Sequence, residues 1–409
     1  MAAGTISKQE FCSRHEKVRA FLQENNLGAL FAYSPPIEHK WTQTGHVSYL
    51  SGWDNHDRII ESAVVIPASG PAALLFAGLP FMAEQVAEVS PIDDVRLVKP
   101  VDPNAVGVAE ARAAGADTGP RDFASETLSI LGENGLAKED VGVVGIESMS
   151  HPFYEVLAKG FGSKLQRCED IVAELRATKS PAELQAMREA ARLSDIGFEA
   201  MLESARPGMK GLEIVAEIER AVRREGADHA KYWMASGPPT DWGESRHDLK
   251  PHERVLGEGD MIASCSYVTY KGYWCHGQRA GTLLKPSPAL EKIFAVALEA
   301  QDAALAVMRP GNAVRQAVEA ARGVAGRHGF TLGGGRIGHG MGMDYGERPL
   351  LAASNEGFLQ EGMTFGMHCN WLLPVSGKLF VPLGDVCCIG AKGLEYLMGF
   401  PRGLFVAGQ

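Results

Sequence analysis

The sequence predicts an α/β domain followed by a second domain that mixes helices and strands. Helical and strand-like segments alternate as far as Ile146, the pattern of an α/β domain. A strongly marked helix start at Ser180 then opens a new series of elements. At 409 residues the chain is also long enough for two domains, each with its own core.

In chain order, Phe11 to Asn26 reads as a charged amphipathic helix with Val18, Phe21 and Leu22 on its apolar face. It runs into the buried-strand type of run Ala29-Leu30-Phe31-Ala32. Ala63-Val64-Val65-Ile66 reads as a strand, Ser69-Gly70-Pro71 as a turn and Leu74-Leu75-Phe76 as the return strand. A helix between Phe123 and Leu136 leads to a strand at Val143 to Ile146. After the boundary, Ser180 is placed as N-cap, Pro181 at the first helical position and Glu183 to close a capping box. A second helix through Ile214, Ile218 and Val222 ends with Gly226 as C-cap. Strand-like pieces follow at Met261 to Ala263 and Tyr270 to Tyr273, then a helix from Pro288 to Met308, a break at Arg309-Pro310-Gly311 and a helix to Gly329. Gly333-Gly334-Gly335-Arg336 leads into a strand that carries His339.

Composition narrows the function. Hydrophobic residues at 45% and charged residues at 22% describe an ordinary soluble globular protein. A net charge of −10 argues against a nucleic-acid partner, which needs a basic patch. No apolar run approaches the roughly 18 residues of a membrane span, and Met1 to Phe11 lacks the basic and apolar regions of a secretory signal. The seven cysteines, at 12, 168, 265, 275, 369, 387 and 388, are odd in number and scattered, which suits reduced thiols in a cytoplasm. Neither a Gly-x-Ser-x-Gly elbow nor a Walker phosphate loop is found.

Three stretches carry a family resemblance. The string Gly338-His339-Gly340-Met341-Gly342, continuing to Glu347-Arg348-Pro349, sets one histidine between glycines that bring the backbone close to a pocket. Leu175-Arg176-Ala177-Thr178-Lys179-Ser180-Pro181-Ala182-Glu183 has the form LR-x-x-K-S-x-x-E, and Tyr49-Leu50-Ser51-Gly52 a short turn signature. Together these resemble the creatinase and Xaa-Pro aminopeptidase superfamily of pita-bread metallopeptidases. The resemblance implies a creatinase-type N-terminal α/β domain over residues 1–170 and an α+β pita-bread catalytic domain over 171–409. It also implies a small-molecule substrate and a homodimer. His56, Asp57 and Arg58, with Thr44-Gly45-His46 before them, read as solvated loop charges. In the family a loop of this domain can reach over the partner's active site.

The resemblance also supplies a ligand frame, and the chain departs from it. Metallopeptidase members bind two ions through two Asp, one His and two Glu. The Asp pair lies in D-x-G-x-x-Y-x-G-Y-x-x-D-x-x-R; here Tyr270, Gly272, Tyr273 and Arg279 keep the frame while Cys265 and His276 replace the two Asp. His339 keeps the His position. His368 follows Gly362 to Met367 where the first Glu belongs, and Gly384 stands for the last. Without bridging carboxylates a dinuclear hard-metal centre should not assemble. The resemblance puts positions 276, 339, 368 and 384 around the same ion. Two of the four altered positions are His, in a chain with only 12 His, so three imidazoles are the expected ligands of one divalent transition metal, zinc or else iron. Plain decay to a metal-free pocket is the competing reading. Cys275 and Cys369, each beside a candidate ligand, should point away from the site.

The expected enzyme is a hydrolase cleaving a C–N bond. His276, His339 and His368 would hold the ion, which lowers the pKa of bound water to about 7. His247, or else His252, would move protons, because imidazole titrates near neutral pH. Glu347 would orient water, unless it forms a salt bridge within its loop. Gln278, Arg279 and Cys265 are the candidate substrate contacts. Gly346 stands where peptidase members carry a second His, which counts against a peptidase, and Gln278 and His368 replace creatinase carboxylates. Metal-free hydrolysis or elimination, three-His Fe(II) chemistry and a non-catalytic binding protein remain the alternatives.

Overall fold

A computed structural model describes the chain apart from residues 1–5, 36–44, 54–59, 79–81, 102–120, 239–252, 334, 370, 375–378, 381 and 409. It divides into two compact units, Thr5–Arg176 and Ala177–Gln409.

In the first unit the described elements run α1 (Lys8–Glu24), β1 (Leu27–Ser34), α2 (His46–Ser51), β2 (Glu61–Pro67), β3 (Ala73–Ala77), α3 (Met82–Val89) and β4 (Asp94–Leu97). They continue with α4 (Phe123–Glu133), β5 (Asp140–Val144), α5 (His151–Phe161), β6 (Leu165–Arg167) and α6 (Glu169–Ala177). The sheet order is β4-β3-β2-β1-β5-β6. β2 pairs antiparallel with β1 and β3, whereas β1 with β5 and β5 with β6 are parallel. β1 is buried along its whole length, which is why it reads as a continuous apolar run rather than an alternation. Phe31, Phe123, Phe153 and Phe161 pack in one core beneath the sheet. Tyr49-Leu50-Ser51 is the last turn of α2, not a free turn, and Gly52 ends it in the left-handed conformation at φ 71°.

The second unit opens with α7 (Pro181–Ser204), where Ser180 and Glu183 form the expected capping box. α8 (Gly211–Arg224) has Glu225 as C-cap, and Gly226 follows at φ 99°. Then come β7 (His229–Gly237), β8 (Met261–Tyr270), β9 (Tyr273–Cys275), β10 (Gln278–Leu283), α9 (Pro288–Ala306) and α10 (Val314–Arg327). The remaining strands are β11 (Phe330–Leu332), β12 (Arg336–Gly340), β13 (Glu347–Ala352), β14 (Thr364–Met367), β15 (Trp371–Pro374), β16 (Leu379–Phe380), β17 (Asp385–Gly390), β18 (Gly393–Tyr396) and β19 (Phe405–Ala407). The stretch Tyr270 to Tyr273 is a hairpin turn, not a strand. Lys271 and Gly272 both take positive φ, 49° and 77°, as a two-residue primed turn requires.

Two sheets of this unit matter for the site. One runs β19-β10-β8-β7 with β9 on β8; the other runs β13-β12-β14-β17-β18. They are stitched together where Gln278 N donates to Gly384 O at 3.0 Å and Gly384 N donates to Gln278 O at 3.2 Å. α9 and α10 pack their small apolar faces, including Ala300, Ala304, Ala317 and Ala321, against the second sheet.

Candidate active site

The seam between these two sheets brings the candidate histidines together. His276 sits between β9 and β10 on the first sheet; His339 on β12 and His368 just after β14 belong to the second. The ring of His368 lies 4.8 Å from that of His276 and 5.3 Å from that of His339, centroid to centroid. Each of the outer rings is fixed by main chain. His276 Nδ1 is 2.7 Å from Ser266 O and His339 Nδ1 is 2.9 Å from Gly340 O. A carbonyl only accepts, so both Nδ1 atoms carry the proton and both Nε2 atoms present a lone pair. Gln278 Nε2, at 3.2 Å, donates to His276 Nε2.

Two glycines make room for His368. A Cβ on Gly384 would lie 2.9 Å from His368 Nδ1 and 3.0 Å from Gln278 Cγ. A Cβ on Gly366 would meet Met341 Cε at 2.8 Å and His368 Nε2 at 3.3 Å. The ring is thus slotted between two stretches of bare backbone, and the main-chain N–H of His368 donates to Ile337 O at 2.6 Å.

The pocket is electrically quiet. Burial pushes His339 down to about 4, outweighing the Gly340 carbonyl that favours its charged form. Burial, with the two neighbouring imidazoles, holds His368 well below the ordinary histidine range. His368 is half-buried as a residue, but both its ring nitrogens are sealed from solvent. They and His339 Nε2 have no hydrogen-bond partner among the described residues. An unpaired buried polar atom costs roughly 1–3 kcal/mol, so three of them in one place call for an explanation.

The family model for metallopeptidase family M24 matches residues 185–390. The chain belongs to family M24. The uncharacterized peptidase YqhT of Bacillus subtilis is 28% identical over 242 residues, 58% of this chain and 66% of that protein. The ectoine hydrolase of Halomonas elongata is 24% identical over 423 residues, 98% of each chain. Among solved structures, the X-Pro aminopeptidase of Thermotoga maritima superposes with TM-score 0.75 at 22% identity, covering 96% of this chain and 99% of the other. The pita-bread fold follows, and with it membership of a family of hydrolases.

M24 is a metallopeptidase family, yet the side chains here do not fit a metal centre as they stand. Among the described residues no group of three His, Cys, Asp or Glu is placed to hold an ion. The expected His276, His339 and His368 set is not among such groups, and the Gln278 amide lies 3.2 Å from His276 Nε2. Only two imidazoles remain open, and structural or catalytic zinc sites use at least three protein ligands.

Other expected residues need correction as well. Glu347 does not face the histidines as a free carboxylate: its Oε2 is 2.8 Å from Lys179 Nζ in a buried ion pair, and its Oε1 accepts from Asp344 N. Its partner therefore lies at the start of α7, outside its own loop. Arg279 is fully buried, and its guanidinium braces the main chain of the seam. It pairs with Asp385 at 2.7 Å and donates to the carbonyls of Gln278, Gly384 and Phe400, so it ties these segments together. Cys265 lies across the sheet from Gln278 and its thiol is raised by burial, so it stays protonated. Cys275 faces Ser194 of α7, and Cys369, pushed up to about 12 by burial, lies in the helix-packed core. His247, His252 and the loop residues His56, Asp57 and Arg58 fall outside the described residues. His46 is buried, its Nδ1 3.5 Å from Arg176 Nη1.

Sequence reasoning missed the aromatic wall. Tyr267 packs at 4.4 Å on His276 and at 4.6 Å on Trp233. Tyr345 touches His276 at 5.0 Å and His339 at 4.8 Å, and hydrogen-bonds Tyr267 through the hydroxyls. Burial raises both phenols, so both stay protonated. The signal was present: Tyr267 stands where the ligand motif has its first Gly, and it lies two residues from Cys265, on the same strand face.

Proposed function

We propose that the chain is a hydrolase for a C–N bond in a small polar compound, and not a conventional peptidase. The observation that carries this reading is the pocket of neutral imidazoles, with lone pairs turned inward, where peptidase relatives would carry metal-binding carboxylates. The 98% coverage shared with an ectoine hydrolase supports it. In this reading His368 or His339 accepts a proton from water as its oxygen bonds the substrate carbon. The C–N bond then breaks and the nitrogen leaves with a proton, so H and OH are added across it. His247 is the candidate shuttle for that proton. Tyr345, whose hydroxyl accepts from Tyr267, has its own proton to give to the developing oxyanion. We also read the protein as a cytoplasmic homodimer.

A second reading has one specific support, the unpartnered nitrogens of His339 and His368. A single ion, zinc or iron, would satisfy them if Gln278 released His276. Protein purified without added metal distinguishes the two. The first reading expects turnover of amidines, cyclic amides or small N-acyl compounds that survives thorough chelation and disappears in His368→Ala. Stoichiometric bound metal, lost in that variant, supports the second. Chelation-sensitive cleavage of Xaa-Pro dipeptides would overturn both in favour of an ordinary peptidase.

A further inference from the structure

We propose that the pocket is built for a planar C–N group bearing a hydrogen on its nitrogen, as in a primary or secondary amide, an amidine or a guanidine, and that it discriminates against the fully substituted nitrogen of an Xaa-Pro bond. For turnover this rests on the hydrolase reading above; for binding it stands on the following geometry.

His339 has its Nδ1 proton tied to Gly340 O at 2.9 Å, so its Nε2 is an acceptor and nothing else. The side chain is 2% exposed and that nitrogen has no partner among the described residues. The complement of that nitrogen is a hydrogen-bond donor, which a ligand N–H supplies. Beside it His368 brings one N–H and one lone pair, both equally unpartnered. The slot between Gly366 and Gly384 gives its ring little freedom to turn elsewhere. The complementary ligand therefore offers at least one donor to His339 and a donor or acceptor to His368. A carboxylate oxygen has no hydrogen and would set lone pair against lone pair at His339. A proline nitrogen in peptide linkage has no hydrogen either. The rings of Tyr267 and Tyr345, 5.5 Å apart and tilted at 44°, supply flat surface for a planar group.

The test uses matched probes differing by one N–H: 2-pyrrolidone against N-methyl-2-pyrrolidone, and N-acetylglycine against N-acetylsarcosine, with acetate as the donor-free anion. Binding to the full chain with histidine-¹⁵N label is followed at the His339 Nε2 resonance, assigned with His339→Gln. The N–H member of each pair is expected to shift that resonance and to bind roughly ten- to a hundredfold tighter than its N-methyl partner. Equal affinity within the pairs overturns the proposal. So does a response to acetate alone, no response to any N–H probe, or a metal ion found on His339 in the purified protein. Binding of the N–H probes without hydrolysis of any C–N compound leaves this inference standing and removes the hydrolase reading. Efficient hydrolysis of Xaa-Pro dipeptides does the reverse.

Discussion

Lys179→Met should cost the protein its second unit's stability before it touches the chemistry. Lys179 Nζ and Glu347 Oε2 are 2.8 Å apart, with side chains 1% and 6% exposed. The pair rests on bare backbone, since a Cβ on Gly342 would lie 2.8 Å from both carboxylate oxygens and from Lys179 Cε. Removing the ammonium strands a carboxylate away from water, which costs about 3–5 kcal/mol. For a unit of this size that corresponds to a melting temperature lower by roughly 6–20 °C. Glu347→Gln removes the charge but keeps the shape, and strands the ammonium instead. The double variant Lys179→Met, Glu347→Leu removes both charges and should recover much of the loss, because neither partner is left unpaired. Thermal melts by circular dichroism of the wild type, both single variants and the double variant close the cycle. Glu347→Gln melting like the wild type while losing all activity would refute the reasoning. It would return Glu347 to the role of water-orienting base.

Three further outcomes are expected. Gly384→Ala places a methyl 2.9 Å from His368 Nδ1, so the ring must turn out of its slot. Overpacking costs about 1–3 kcal/mol, and histidine-¹⁵N spectra should show the His368 environment changed; an unchanged resonance with full stability means the slot is looser than described. Stability should fall as pH drops from about 6.5 to about 4, because His339 is protonated in the unfolded chain before it is in the folded one. The shift amounts to about 3 kcal/mol, His339→Asn should flatten that part of the curve, and a flat wild-type curve would contradict it. Arg279→Leu should lower stability by about 3–5 kcal/mol, since it leaves Asp385 with Arg402 and Gln301 as its side-chain partners among the described residues. A specific rise in KM at unchanged melting temperature would make Arg279 a substrate contact after all.

Much of the architecture was legible because its signals are local. The Ser180–Glu183 capping box, the buried run at Ala29 to Ala32 and the glycines around His339 each depend on neighbours in sequence. The gathering of His276, His339 and His368 at one seam was legible only through the family frame, since the seam depends on Gln278 meeting Gly384, far away in sequence. What could not be read was partner choice at long range. Glu347 pairs with Lys179, 168 residues away, and nothing in the spacing of either residue indicates it. Arg279 adjoins Gln278 in sequence, yet strand alternation sends the two side chains to opposite faces, one to His276 and one to Asp385. A motif position fixes where a residue sits on the backbone, but not which of two faces carries the chemistry.

The exchange of carboxylates for imidazoles changes the charge of the pocket more than its shape. Carboxylates crowded at one point repel unless cations compensate them, so a centre of that type has reason to keep its ions. Neutral imidazoles carry no such repulsion and are stable without an ion, provided each lone pair and each N–H finds a partner. His276 has both its partners within the chain; His339 Nε2 and both His368 ring nitrogens have none among the described residues. The unsatisfied valence of this site is thus hydrogen-bonding and not ionic. A ligand with matching donors relieves it, and a neutral one does so without bringing a charge that the surrounding protonated phenols and sealed strands would have to solvate.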